Sequence, residues 1–191
     1  MTVQRRYLIV AGILVVLAVA GLAMFAVERF VPPRRTAVRV APPPVPAATA
    51  HINATLFYGS IDGQALISLR REVPLAEGTV AQGEEILRAQ LAAAPAPLTS
   101  VVPKGTTLRA FYVTDRGDAF VDLSKEVSTA HPGGTLYELM TVYAIVDAVT
   151  ANLPKVQRVQ ILVEGKAVDT IAGHVDVRRP LPRDVSLVRE K

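Results

Sequence analysis

Thr135-Leu136-Tyr137-Glu138-Leu139-Met140-Thr141-Val142-Tyr143-Ala144-Ile145-Val146-Asp147-Ala148-Val149-Thr150-Ala151-Asn152, closed by Leu153-Pro154 and followed by Val156-Gln157-Arg158-Val159-Gln160-Ile161-Leu162-Val163-Glu164, holds the two periodicities that decide the fold. In the first part Leu136, Leu139, Val142, Val146, Val149 and Leu153 recur at steps of three and four, so one side of a helix is apolar and must lie on a sheet. Pro154 stops that helix, because proline has no N–H and its ring clashes with the preceding turn. In the second part Val159, Ile161 and Val163 alternate, which predicts a strand with one buried face. Gly165-Lys166 then turns it into a short segment, Ala167 to Ile171.

Upstream, Pro132-Gly133-Gly134 breaks the chain, and Thr135-x-x-Glu138 has the spacing of a capping box, in which threonine takes a free backbone N–H and the glutamate reaches back. Before it, two β-rich runs, Thr106–Thr114 and Asp118–Leu123, are joined by Asp115-Arg116-Gly117 and predict a hairpin. Thr79-x-x-Gln82 repeats the capping-box spacing and opens a helix from Val80 to Ala94, with Val80, Leu87, Leu91 and Ala94 on its apolar side and Pro95 and Pro97 beyond its end. Asn53–Tyr58 and Gln64–Arg71, rich in strand formers around the turn Gly59–Gly63, form the first hairpin. The order is ββαββαββ. It predicts an α+β fold with two helices packed on one face of a mixed or mostly antiparallel sheet.

The ends of the chain have a different composition. Tyr7 to Val27 is uncharged and apolar throughout, long enough for a helix to cross the hydrocarbon of a bilayer. A cleaved signal peptide is the competing reading, with Ala18-Val19-Ala20 as its cleavage site, but the apolar run continues past that point to Val27. With no cysteine, a lipidated cysteine is excluded. Pro32-Pro33 and Ala41-Pro42-Pro43-Pro44-Val45-Pro46 predict an extended stalk. The organisation expected is a tail over 1–6, a membrane helix over 7–27, a stalk over 28–50, one domain over 51–177 and a basic tail over 178–191. Net charge is +4, yet residues 51–177 hold ten basic against fourteen acidic groups. The positive charge lies in the flanks, where it suits anionic lipid better than nucleic acid, so no nucleic-acid partner is expected.

Little in the chain offers catalysis. His51, His131 and His174 are the three histidines, and no two have helical metal-ligand spacing. Ser124 and Asp122 lack the sequence of a nucleophile elbow. Gly133-Gly134-Thr135 at a helix start could attract an anion, but Glu138 would repel it. The acids from Asp115 to Asp122 lack the ligand spacing of a calcium loop. No catalytic, cofactor or metal residue is expected.

Pro103-Lys104-Gly105-Thr106, Val121-Asp122-Leu123-Ser124, Gly133-Gly134-Thr135-x-x-Glu138, Thr141-Val142-Tyr143-Ala144-Ile145-Val146, Val159–Lys166 and Thr170-Ile171-Ala172-Gly173-His174-Val175-Asp176 together resemble the GerMN (sporulation and spore germination) domain family, in order from Ala54 to Asp176. The resemblance implies an extracytoplasmic α/β module of bacteria, similar in fold to ring-building motifs and with no enzymatic activity. It also implies that the domain lies outside the cytoplasmic membrane, although more arginines follow the helix than precede it. The chain departs from the family in carrying one copy, in lacking a lipoprotein cysteine, and in having Asp147 where asparagine is commoner. The expected function is a binding or assembly module for envelope proteins or for copies of itself. The alternative is an accessory that binds or processes peptidoglycan or glycan.

Overall fold

The computed structural model describes residues 3–30 and 50–189. The chain divides into two units, residues 1–45 and 46–191. In the first, helix α1 (Val3–Phe30) extends over the whole apolar run. Its side chains are described over residues 12–25, all of them exposed, among them Ile13, Leu14, Val16, Leu17 and Leu22. Among the described residues no helix is long and apolar enough to cross a membrane. The stalk lies outside the described residues apart from 28–30 and Ala50.

The second unit begins with β1 (His51–Gly59) and β2 (Leu66–Pro74), an antiparallel hairpin that pairs Leu56 with Leu69 and Tyr58 with Ile67. Helix α2 (Thr79–Leu91) follows. It stops three residues earlier than its apolar spacing predicts, and Val80 is exposed. Its buried side is instead Gln82, Gly83, Ile86, Leu87 and Gln90. Glycine at 83 lets the helix approach the sheet, since a Cβ there would lie 2.2 Å from Phe111 Cε1. Strands β3 (Leu108–Val113) and β4 (Asp118–Leu123) make the second hairpin, with a register shift between Leu108 and Ala110.

A short helix, α3 (Glu126–Thr129), absent from the sequence expectation, precedes α4 (Thr135–Asn152). Together they supply the crossover that lets β5 (Arg158–Val163) lie parallel to β4, since parallel neighbours cannot be joined by a tight turn. The single sheet expected is two sheets: β1 and β2 belong to one, and β3, β4 and β5 to the other. Helix α4 packs on both β1 and β5 and also against α2. That is why Met140, Ala144, Ile145 and Ala148, off the predicted stripe, are as buried as Val142, Val146 and Val149 on it.

Neither predicted capping box forms. Gly78 and Gly134, both at positive φ, occupy the two cap positions, and neither helix has a side-chain cap bond. Gln82 accepts the Ala76 N–H at 2.9 Å and donates to the Pro74 carbonyl at 3.1 Å, tying down the chain that leaves β2. Glu138 turns into the core, as described below.

The last expected strand shrinks to β6 (Lys166–Ala167), paired with the end of β5. The basic tail expected from residue 178 is ordered chain. β7 (Leu181–Pro182) pairs with Arg158 and Val159 at the start of β5, a 3-10 turn follows at Val185–Leu187, and β8 (Val188–Arg189) lies parallel to β2 at Leu66 and Ile67. This C-terminal strap therefore joins both sheets.

Candidate functional site

His131, Asp122, Ser124 and His174, among the residues weighed for chemistry, are engaged in holding the fold. His51 is exposed at the start of β1. His131 Nδ1 accepts the Gly133 N–H at 3.0 Å, Nε2 lies 3.2 Å from Thr141 Oγ1, and burial lowers its pKa. Asp122 Oδ1 accepts the Gly165 N–H at 2.7 Å and Oδ2 faces Arg109 Nε at 3.3 Å. Ser124 Oγ accepts the Thr107 N–H at 3.0 Å. Among the described residues no three His, Cys, Asp or Glu groups converge as metal ligands.

His174 belongs to a local network, as its place beside Gly173 suggests. Glu138, fully buried on α4, accepts the N–H groups of Ile171 (2.9 Å), Ala172 (2.8 Å) and His174 (2.8 Å), and the His174 ring Nδ1 lies 3.2 Å from it. Burial would raise its pKa, but the backbone N–H groups of Ala172, His174, Val175 and Ile171 outweigh that and hold it below the usual glutamate value. The loop is wrapped around a carboxylate that belongs to the protein itself.

Open backbone is the other place to look for function, because an unpaired strand edge is a template for another chain. The outer edge of β1 is closed by side chains. Asn152 at the end of α4 accepts the Thr55 N–H at 2.8 Å and donates to its carbonyl at 2.7 Å. Gln90 near the end of α2 does the same to Phe57, at 2.9 and 2.6 Å. Thr99 completes the row by exchanging backbone bonds with Gly59 at 2.8 and 3.0 Å. Two amides and one backbone bridge thus imitate a neighbouring strand.

The outer edge of β2 is treated differently. β8 covers only Leu66 and Ile67, and among the described residues no strand pairs with Ser68–Pro74 on that side. At the β8 end of this edge lies a groove of about 670 Å³ lined by Ile61, Ile67, Leu69, Pro95, Pro97 and Leu98, to which the unpaired segment contributes Leu69. Ile67 and Leu69 enter it as alternate residues of one strand face. At one end Ser60 Oγ donates to Asp62 Oδ1, and Arg189 Nη1 donates to Asp62 Oδ2 at 2.9 Å. The Ser60 bond, then the Arg189 bond, hold the Asp62 carboxyl well below the usual range. The polar groups of the groove are bonded to one another, which suits an apolar peptide better than a sugar.

The strap reaches this edge from α4. Asp184 caps the 3-10 turn by accepting the Ser186 N–H at 2.8 Å, and its own N–H donates to Asp147 Oδ1 at 3.1 Å. Asp147 is wholly buried, and its Oδ2 has no hydrogen-bond partner among the described residues. Burial pushes its carboxyl up to about 6, against the Asp184 N–H and the charge of Arg183 and with the charge of Asp184.

Comparison with known proteins places the fold. A family model described as "Germane: Sporulation and spore germination" matches residues 55–169. Among solved structures, the first GerMN domain of the sporulation protein GerM from Bacillus subtilis superposes with a TM-score of 0.55 at 16% identity, covering 69% of this chain and 98% of that one. The tandem GerMN domains of the same protein give 0.52 at 15%, covering 71% of this chain and 45% of that one. A protein described as a lipoprotein from Clostridium perfringens gives 0.51 at 24%, covering 71% and 90%. At these identities the likeness carries the fold alone. No curated protein matches. The strap from residue 178 onward lies beyond the segment that the family model matches.

Proposed function

The chain belongs to the sporulation and spore germination family, and we propose that its folded unit is a non-enzymatic docking module held by α1 at the outer face of a bacterial inner membrane. The observation that carries this reading is the contrast between the two edges of the first hairpin. One is closed by Asn152, Gln90 and Thr99, while on the other no strand among the described residues pairs with Ser68–Pro74, next to an apolar groove. The occupant is an extended segment of another envelope protein, added to β2 in the direction β8 already takes. Backbone bonds supply affinity in that mode, and apolar side chains in the groove supply selection.

Anchoring follows from α1, whose exposed side chains over 12–25 are apolar on every side, a helix that water does not accommodate. The proposed span is 7–27 as a single-pass signal anchor, with residues 28–50 as the stalk. A reporter fused after Lys191 that functions only outside the cytoplasm should be active, and one that functions only inside should be silent; the reverse pattern overturns the topology.

Docking is tested in the full chain with a photo-cross-linking residue at Ser68 or Arg70 on the open edge and at Asn53 on β1. The expected result is one discrete heavier adduct from the β2 positions only. An adduct of twice the chain's mass would replace the foreign partner by a second copy, and equal adducts from both strands would remove the edge argument.

A further inference from the structure

We propose that Asp147 is the latch of the C-terminal strap, closed when its carboxyl is neutral and loosened when it ionises. A carboxylate in a dry interior is ordinarily stabilised by two or three N–H donors. Among the described residues Asp147 has one, from Asp184, and an unpartnered second oxygen. The charges near it are Arg183 and Asp184 of the strap, of opposite sign, and Tyr143 of α4, whose hydroxyl is itself held protonated by burial. Among the described residues the other elements packed on α4 add no free countercharge: His51 of β1 is exposed, Arg158 of β5 is bonded to Asp118, and Glu84, Glu85 and Arg88 of α2 are bonded together.

An ionised Asp147 therefore needs water, and the element whose backbone touches its carboxyl is the strap. Leu181, Leu187 and Val188 pack against the core, but the strap has few backbone fastenings. It pairs through two residues at β7 and two at β8, Pro180 and Pro182 lack N–H groups, and the exposed Arg189–Asp62 pair contributes little. Such an element opens locally without the domain unfolding. When it opens, β2 is bare from Leu66 to Pro74 and Arg189 leaves the groove. The biological consequence rests on the docking reading, while the latch stands on the strap's own geometry.

The sign follows from linkage. In the closed state the carboxyl titrates at about 6, against an ordinary 3.8 once hydrated, so the proton favours closure and opening grows as pH rises between those values, then levels off. Hydrogen exchange of the full chain in detergent, corrected for intrinsic rates, reads this at the amides of Asp184 to Arg189. Protection should be about tenfold lower at pH 7 than at pH 5 and nearly constant from pH 7 to 8. Amides of β5 should be flat throughout. Asp147→Asn should abolish the pH dependence of the strap, and Arg183→Gln, which leaves Asp147 in place, should lower strap protection further at pH 7. A strap equally protected at pH 5 and 7 in the unmodified chain, or an unchanged profile in Asp147→Asn, overturns the latch. Strap exchange and β2 adducts are independent readouts, so failure of one reading is distinguishable from failure of the other.

Discussion

Helix α4 carries two fully buried carboxylates nine residues apart, and they are treated in opposite ways. Glu138 is surrounded by backbone N–H groups from the 171–175 loop and titrates below its usual range, whereas Asp147 has a single N–H from the strap and titrates at about 6. Burial is common to both, so it does not decide the outcome. The number of donors does, because each N–H aimed at a carboxylate replaces a bond that water would have made. The first site is a permanent fastening and the second a conditional one.

The comparison extends to a third carboxylate on the same helix, one with no donors at all. Val146 is fully buried, and Val146→Asp should cost about 4 kcal/mol or more, enough to unfold most of the protein. Urea unfolding measures it, and a loss under about 1 kcal/mol would mean that water reaches this face of α4 and that donor count is not the governing quantity.

Next in size is a pair of amide substitutions with opposite signs. Glu138→Gln should lower stability at pH 7 by about 2 kcal/mol, since bonds to a charged acceptor are replaced by weaker ones. Asp147→Asn should raise it by about 1–2 kcal/mol at pH 7 and by almost nothing at pH 4. In the unmodified chain Glu138 stabilises above its ordinary 4.5 and loses that effect as pH falls below it. The contribution of Asp147 is present at low pH and lost as pH rises from 3.8 toward 6. Thermal melts of both variants at the two pH values test the pair, and the same sign at pH 7 would break the comparison.

The smallest effect belongs to His174→Ala. Its side chain is 42% exposed and adds one ring contact to a carboxylate already held by the backbone, so the expected loss is about 1 kcal/mol. A loss exceeding that of Glu138→Gln would transfer the fastening from the backbone loop to the imidazole.

These sites also mark the limits of what could be read from the chain. Helix α4 and strand β5 were legible because each has a period, and both hairpins and α2 because strand formers, turn residues and prolines bound them, whereas several family motifs, such as 103–106 and 170–176, fall in the loops between elements. Thr135-x-x-Glu138 misled because its spacing is the same whether the glutamate turns back to the helix end or sideways into the core; only the position of Ile171 and Ala172, far along the chain, settles it. The strap was illegible for another reason. Its strands are two residues long, below any period, and its attachments to Asp147 and Asp62 are long-range pairings of single residues. For α4, Met140, Ala144, Ile145 and Ala148 off the main stripe were a usable sign that the helix is covered on more than one side.

Gln90 and Asn152 have a consequence for how the chain is made. The segment Ala54-Thr55-Leu56-Phe57-Tyr58 has the composition of a β-aggregating stretch, uncharged, free of proline and glycine, and rich in strand formers. Its outer edge becomes safe only when two helices arrive with their amides in place, and Asn152 is synthesised 97 residues after Thr55. For that interval a nascent chain presents a bare, sticky strand to its neighbours. Crowded synthesis is therefore the condition under which this protein is most prone to form fibrils, and Asn152→Leu, harmless to the composition of the segment, is the substitution that would make the hazard permanent.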